Sequence, residues 1–199
     1  MSARAAKSPR RVGTRAQLLA AARAELIEGN GELEVARVAR RAGVSAGLTY
    51  YHFKNKSGLL NALVHSFYAT LDDTVTAGPF KGATWAVREQ ARVFAMVAFF
   101  YRDPVALLVA TRLRTDPAFA ADEADRRERL NQLGASNIRQ AQRDGEIDAS
   151  LDPLLLVTMV LAGVMAGVQS ALGQNLPLES AQRDIWSFVA RAAGWSEAP

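Results

Sequence analysis

With 199 residues, 49% of them apolar, the chain is long enough for one large domain or two small ones sharing a core, and too apolar for wholesale disorder. It has no cysteine, which excludes disulfides, thiolate metal sites and cysteine nucleophiles and fits folding in a reducing, cytoplasmic compartment; His52 and His65 cannot build a metal site alone. The net charge of +4 is unevenly spread: residues 1–65 carry 11 Lys and Arg against 4 acids and residues 66–199 carry 13 against 16, so affinity for a polyanion is expected at one end only.

Residues 1–12 are basic and free of acids. No apolar stretch follows Arg10-Arg11, so neither a secretory nor a twin-arginine leader is expected, and the segment reads as a disordered basic arm. From there the chain reads as helix after helix, with no strand-like alternation and no internal repeat. Thr14 and Gln17 have the spacing of a capping box, which predicts a helix from Thr14 to the Gly29-Asn30-Gly31 stop. A short helix is expected over 34–42, broken by Gly43. Ser45 is placed to cap a second short one over 45–52, and Asn55 a longer one over 56–75.

A strongly apolar helix is predicted over 84–101. Three Asp-Pro pairs follow, at 103–104, 116–117 and 152–153. Each offers an acceptor for free N–H groups and then a residue with no N–H to leave unpaired, which is a helix start. A charged amphipathic helix is expected over 121–144, a long apolar one over 152–172 and a last one over 178–193. The count is about nine, and the fold class expected is all-α.

Between Asp152 and Glu179 there is no charged residue. A transmembrane span is one reading, but Gln169, Ser170, Gln174 and Asn175 interrupt the apolar run early and acids flank it. A helix apolar all round better suits a position between a subunit core and a second subunit. Leu156, Val160, Gly163 and Gly167 on it, with Ile185, Phe188 and Val189 on the last helix, are therefore predicted at a homodimer interface, Gly163 and Gly167 giving a smooth strip for close helix approach.

The stretch from Val35 to Phe53 has the requirements of a helix-turn-helix. Ala39 is small where two helix axes must approach, Gly43 tolerates the turn four residues on, and Val44 supplies an apolar plug between the helices. The second helix then offers Ser45, Ala46, Gly47, Leu48, Tyr50, Tyr51 and His52, with Lys56 just beyond, as the predicted DNA-binding set. Small residues admit a phosphate to the helix N-terminus, tyrosine hydroxyls donate to phosphate oxygens, and Leu48 suits a thymine methyl. Phe53 is assigned to the core. Arg37, Arg40 and Arg41 are read as a diffuse electrostatic patch.

Residues 14–65 resemble the N-terminal domain of TetR-family transcriptional regulators. The likeness is carried by Val38-Ala39, Ala42-Gly43-Val44-Ser45, Gly47, Tyr50-Tyr51-His52-Phe53, Lys56 and Leu59-Leu60. Thr49 stands where that family usually has a larger aliphatic, and Glu34-Val35 where it commonly has Ser or Thr. The resemblance implies a helix-turn-helix domain over 13–60 and a C-terminal ligand-binding and dimerisation domain over 61–199. It also implies a repressor acting as a homodimer on a palindromic operator of double-stranded DNA and released by a small-molecule effector. The implied cavity falls in the aromatic-rich segments after residue 84, where Phe94, Phe99, Phe100, Arg102, Leu107, Phe119 and Met159 are expected to line it and the effector to be largely apolar. No cofactor, no metal and no membrane partner is expected. No nucleophile–base pair or phosphate loop points to an enzyme. The competing reading is a membrane-associated helical protein whose basic front binds anionic lipid.

Overall fold

The structure, a computed structural model, describes residues 13–78, 80–111 and 117–195, with side chains described except at 110–111 and 117–122. Among the described residues all regular structure is helical: α1 (Thr14–Glu28), α2 (Val35–Arg41), α3 (Ala46–Phe53), α4 (Lys56–Thr76), α5 (Trp85–Arg102), α6 (Ala106–Thr111), α7 (Pro117–Arg143), α8 (Pro153–Gly173) and α9 (Leu178–Ala192). The all-α class and the nine helices agree with the sequence-based expectation. The chain divides into two compact units between Leu63 and Val64, inside α4.

In the first unit, Leu18, Ala22 and Leu26 recur at helical spacing on α1 and are fully buried, joined by Leu33, Val38, Ala39, Phe53 and Leu59. The start of α1 differs from the predicted capping box. Gly13 is the cap residue, Thr14 lies within the helix, and no side chain bonds the free N–H groups; the Gly13 carbonyl instead accepts from Ala16 at 2.9 Å and Gln17 at 3.1 Å. The predicted stop does form. Asn30 and Gly31 take positive φ, and Gly31 N–H returns to the Leu26 carbonyl at 2.8 Å.

In the second unit, the Asp152-Pro153 pair starts a helix as predicted, whereas Asp103-Pro104 leads into α6 through a turn that ends two residues later. Asp152 Oδ1 accepts from Leu155 N–H at 2.7 Å with Pro153 opening α8. Asp103 Oδ1 accepts from Val105 N–H at 2.8 Å just ahead of α6. Asp116 lies outside the described residues, and α7 begins at Pro117, four residues before the expected start at Ala121. Helix α8 is long and apolar enough to cross a membrane by length and composition. One face of it, through Leu156, Val157, Val164, Val168 and Ala171, is nevertheless buried within the unit, where α8 packs on α7 and α9. The ring of Phe188 occupies the space a side chain at Gly163 would need, and Ile185 lies over Gly167. All three tryptophans form one file, Trp85 to Trp186 at 6.2 Å and Trp186 to Trp195 at 6.0 Å.

Candidate nucleic-acid interface and internal cavity

Gly43 has φ +69°, the left-handed turn that ends α2, and Val44 N–H bonds back to the Ala39 carbonyl at 3.0 Å. Ser45 then caps α3, its Oγ accepting from Leu48 N–H at 3.2 Å. With Thr49 and Phe53 buried on its inner side, α3 turns Ser45, Ala46, Gly47, Tyr50 and Tyr51 outward. Tyr51 is 81% exposed and Tyr50 49%. Leu48 and His52 are half-buried, the imidazole edge-on to Tyr51 at 5.4 Å. Lys56 is exposed at the start of α4. The eight predicted DNA-binding residues thus share one short stretch of surface, six of them exposed.

Two features of this unit were not anticipated. Arg37 and Arg41 are not a free patch: both close on Glu25, which is only 3% exposed, and Arg41 also binds Glu28. These ion pairs clamp α2 to α1 and so position the turn. At the α3–α4 joint, Asn55 Oδ1 accepts from Gly58 N–H at 2.8 Å, which confirms the expected cap. A Cβ at Gly58 would lie 2.1 Å from the Phe53 carbonyl oxygen. A glycine three residues past a capping asparagine is the sequence signal that could have revealed this close approach.

The second unit encloses two cavities of about 290 and 360 Å³ that share Leu71, Met96, Arg126, Leu130 and Leu161 as wall. The first is walled mainly by apolar side chains of α4, α5, α7 and α8, with Trp85, Glu89 and Arg92 at one side. Glu89 binds Arg92 through Oε2, and burial raises its carboxyl above the usual range against the pull of Arg92 and Arg88. Arg92 also donates Nε to the Val75 carbonyl at 3.0 Å and lies over the Phe80 ring. Arg126 grips Asp72 with Nε and Nη2, reaches Glu123 with Nη1, and stacks on Tyr68 at 4.1 Å.

Residues 18–63 match the family model described as bacterial regulatory proteins, tetR family. The HTH-type transcriptional regulator BetI of Cronobacter sakazakii is 45% identical over 49 residues, 25% of this chain and 24% of that protein. TtgR of Pseudomonas putida is 42% identical over 65 residues, 32% and 31% of the two chains. The chain therefore spans only about a quarter to a third of these curated relatives. A solved structure of a candidate TetR-family regulator from Rhodococcus sp. matches along nearly the whole length, with 25% identity, a TM-score of 0.69, and 90% and 98% of the two chains covered. Residues 18–63 therefore carry the N-terminal domain of the TetR family, and the chain as a whole shares the fold of TetR-family regulators.

FadR of Bacillus subtilis, solved with stearoyl-CoA, shares the fold of this chain at 18% identity and a TM-score of 0.70, covering 88% of this chain and 97% of that one. The cavity of the present chain is not built from the residues expected to line it. Phe99 and Phe100 pack on Phe67 as core; Phe94 is half-buried, with its carbonyl held by Gln182. Arg102 is exposed and bonds the Ala98 carbonyl, while Leu107 and Met159 are exposed at 40% and 60%. None of these lines either cavity, and the Phe119 side chain lies outside the described residues. Among the residues expected at a dimer interface, Leu156, Ile185 and Val189 are buried inside the subunit, and Leu156, Val160 and Val189 are cavity wall. Gly163 and Gly167 face Phe188 and Ile185 of the same chain. Phe188 itself is 44% exposed.

Proposed function

We propose that this chain is a transcriptional repressor that binds a palindromic operator as a cytoplasmic homodimer through α3 and lets go when a small, largely apolar molecule enters the cavity of its second unit. The observation that carries the reading is α3 itself. It is fixed from behind by Thr49 and Phe53 and presents two tyrosine hydroxyls and a small-residue N-terminus to solvent. Such a surface suits phosphate and base-edge contact in a major groove. In the usual helix-turn-helix arrangement the two reading helices of a dimer meet successive grooves about 34–36 Å apart, so a modest change in their spacing abolishes register.

Selecting bound fragments from genomic DNA with the purified protein, then titrating the selected operator at several salt concentrations, tests this directly. Affinity should fall steeply and linearly in logarithmic salt, and Lys56→Ala should flatten that slope by about one. Tyr51→Phe removes one phosphate donor without touching the core and should weaken operator binding about tenfold. A protein that selects no sequence, or whose Tyr51 and Lys56 variants bind as tightly as the parent, would overturn the assignment of α3.

A further inference from the structure

The polar groups around the two cavities are satisfied unevenly. Both wall guanidiniums have committed donors: Arg92 to the Val75 carbonyl and Glu89, Arg126 to Asp72 and Glu123. What lacks a partner is acceptor. Asn131 lines the second cavity, is only 7% exposed, and its Oδ1 receives no hydrogen bond. Glu89, on the wall of the first cavity, holds Arg92 through Oε2 and is the carboxylate that lines that cavity. A buried acceptor such as Asn131 Oδ1 normally finds a donor, and its missing donor is a statement about what occupies the space.

We infer that the molecule accommodated here is an organic amine with an apolar body, its N–H groups donating to the carboxylate of Glu89 and, where a second donor is present, to Asn131. An anion would have to strip Arg126 from Asp72 and Glu123 or Arg92 from Glu89, leaving a part-buried acid without its cation each time, which is unfavourable. The ring of Trp85 in the same wall suits a cationic nitrogen further. The raised carboxyl of Glu89 agrees, since an ammonium supplies the positive charge that burial leaves short. This chemistry is opposite in charge to the acyl-CoA that the Bacillus subtilis FadR structure holds, although the folds agree.

The inference rests on the reading of the second unit as an effector domain, but it can be tested apart from DNA. The full-length protein is titrated with 4-phenylbutylamine, 4-phenylbutyrate and 4-phenylbutanol, three probes with one apolar body and different heads. Binding is followed by tryptophan emission, because all three tryptophans lie in the file that begins at the cavity wall, and by the rise in Tm. The amine should saturate at least tenfold below the carboxylate, with the alcohol between them. Glu89→Gln should erase the amine's advantage over the alcohol while the alcohol still binds, and Asn131→Leu serves as a second variant if Glu89→Gln does not fold. Equal or tighter binding of the carboxylate, or no saturable signal from the amine, overturns the inference. Amine binding by a protein that recognises no operator sinks the repressor reading and leaves this one standing; operator binding without amine binding does the reverse.

Discussion

Thr49 points its side chain into the first unit at 1% exposure, and its hydroxyl finds no partner there. A buried hydroxyl left unpaired costs roughly 1–3 kcal/mol of desolvation, and Val has the same shape without it. Thr49→Val should therefore raise the stability of the first unit by about 1 kcal/mol, read as a higher urea midpoint at unchanged slope. Its departure from the family's larger aliphatic was legible in the sequence; the lack of a partner was not, because that depends on which neighbours pack over it. Glu89 makes the opposite electrostatic case. Its carboxyl is raised above the ordinary 4.5 by burial, so the folded protein holds that proton to higher pH than the unfolded chain does. The contribution is fully present below the unfolded value and is lost as pH rises through the folded one. Stability of the parent should accordingly decline across that window relative to Glu89→Gln, as measured by chemical denaturation at a series of pH values. Parallel profiles for the two proteins would contradict it.

At the scale of elements, local signals were read well where a single side chain closes a helix end. Ser45, Asn55 and Asp152 all cap as their positions predict, since each needs only a neighbouring N–H. Thr14 and Gln17 match the capping pattern equally well, yet the chain enters α1 one residue earlier and the pattern goes unused. The cavity lay beyond local reading for a different reason. The aromatic run of α5 invites assignment to a ligand site, but Phe99 and Phe100 are used against Phe67, and the cavity is left where α4, α5, α7 and α8 meet without filling the space. Only long-range packing decides that. The α3–α4 joint supplies a prediction of its own. A methyl at Gly58 meets a backbone carbonyl that cannot rotate away, so Gly58→Ala should cost about 1–3 kcal/mol and weaken operator binding by shifting α3. At the same joint Lys54 sits at φ +66° and ψ −49°, a conformation unfavourable to any residue with a Cβ. Lys54→Gly relieves it and should stabilise by about 1 kcal/mol. Opposite shifts in the melting profile from Gly58→Ala, which adds a side chain, and Lys54→Gly, which removes one four residues away, would establish that the joint is held by backbone geometry.

At the scale of the molecule, α8 unites the two questions that the sequence left competing. Its inner face is committed to the subunit, while Leu155 and Met159, each 60% exposed, face outward, and Phe188 of α9 is 44% exposed. Large exposed apolar side chains are costly to leave in water, and in the homodimer proposed above a second copy related by a two-fold axis would cover them with the same surface. The residues that meet the partner on this proposal are thus the outward ones, one helical step round from the Leu156 that the sequence pointed to. Replacing Met159 by Glu sets two like charges near each other across the axis and removes two apolar side chains, without disturbing the buried face. Met159→Glu should yield a monomer with unchanged helical circular dichroism, seen by sedimentation, and an operator affinity lowered at least a hundredfold, because one reading helix then binds without the second. A Met159→Glu protein that remains dimeric moves the interface elsewhere on α8 and α9. A parent that needs detergent to stay in solution instead assigns the same outward face to lipid.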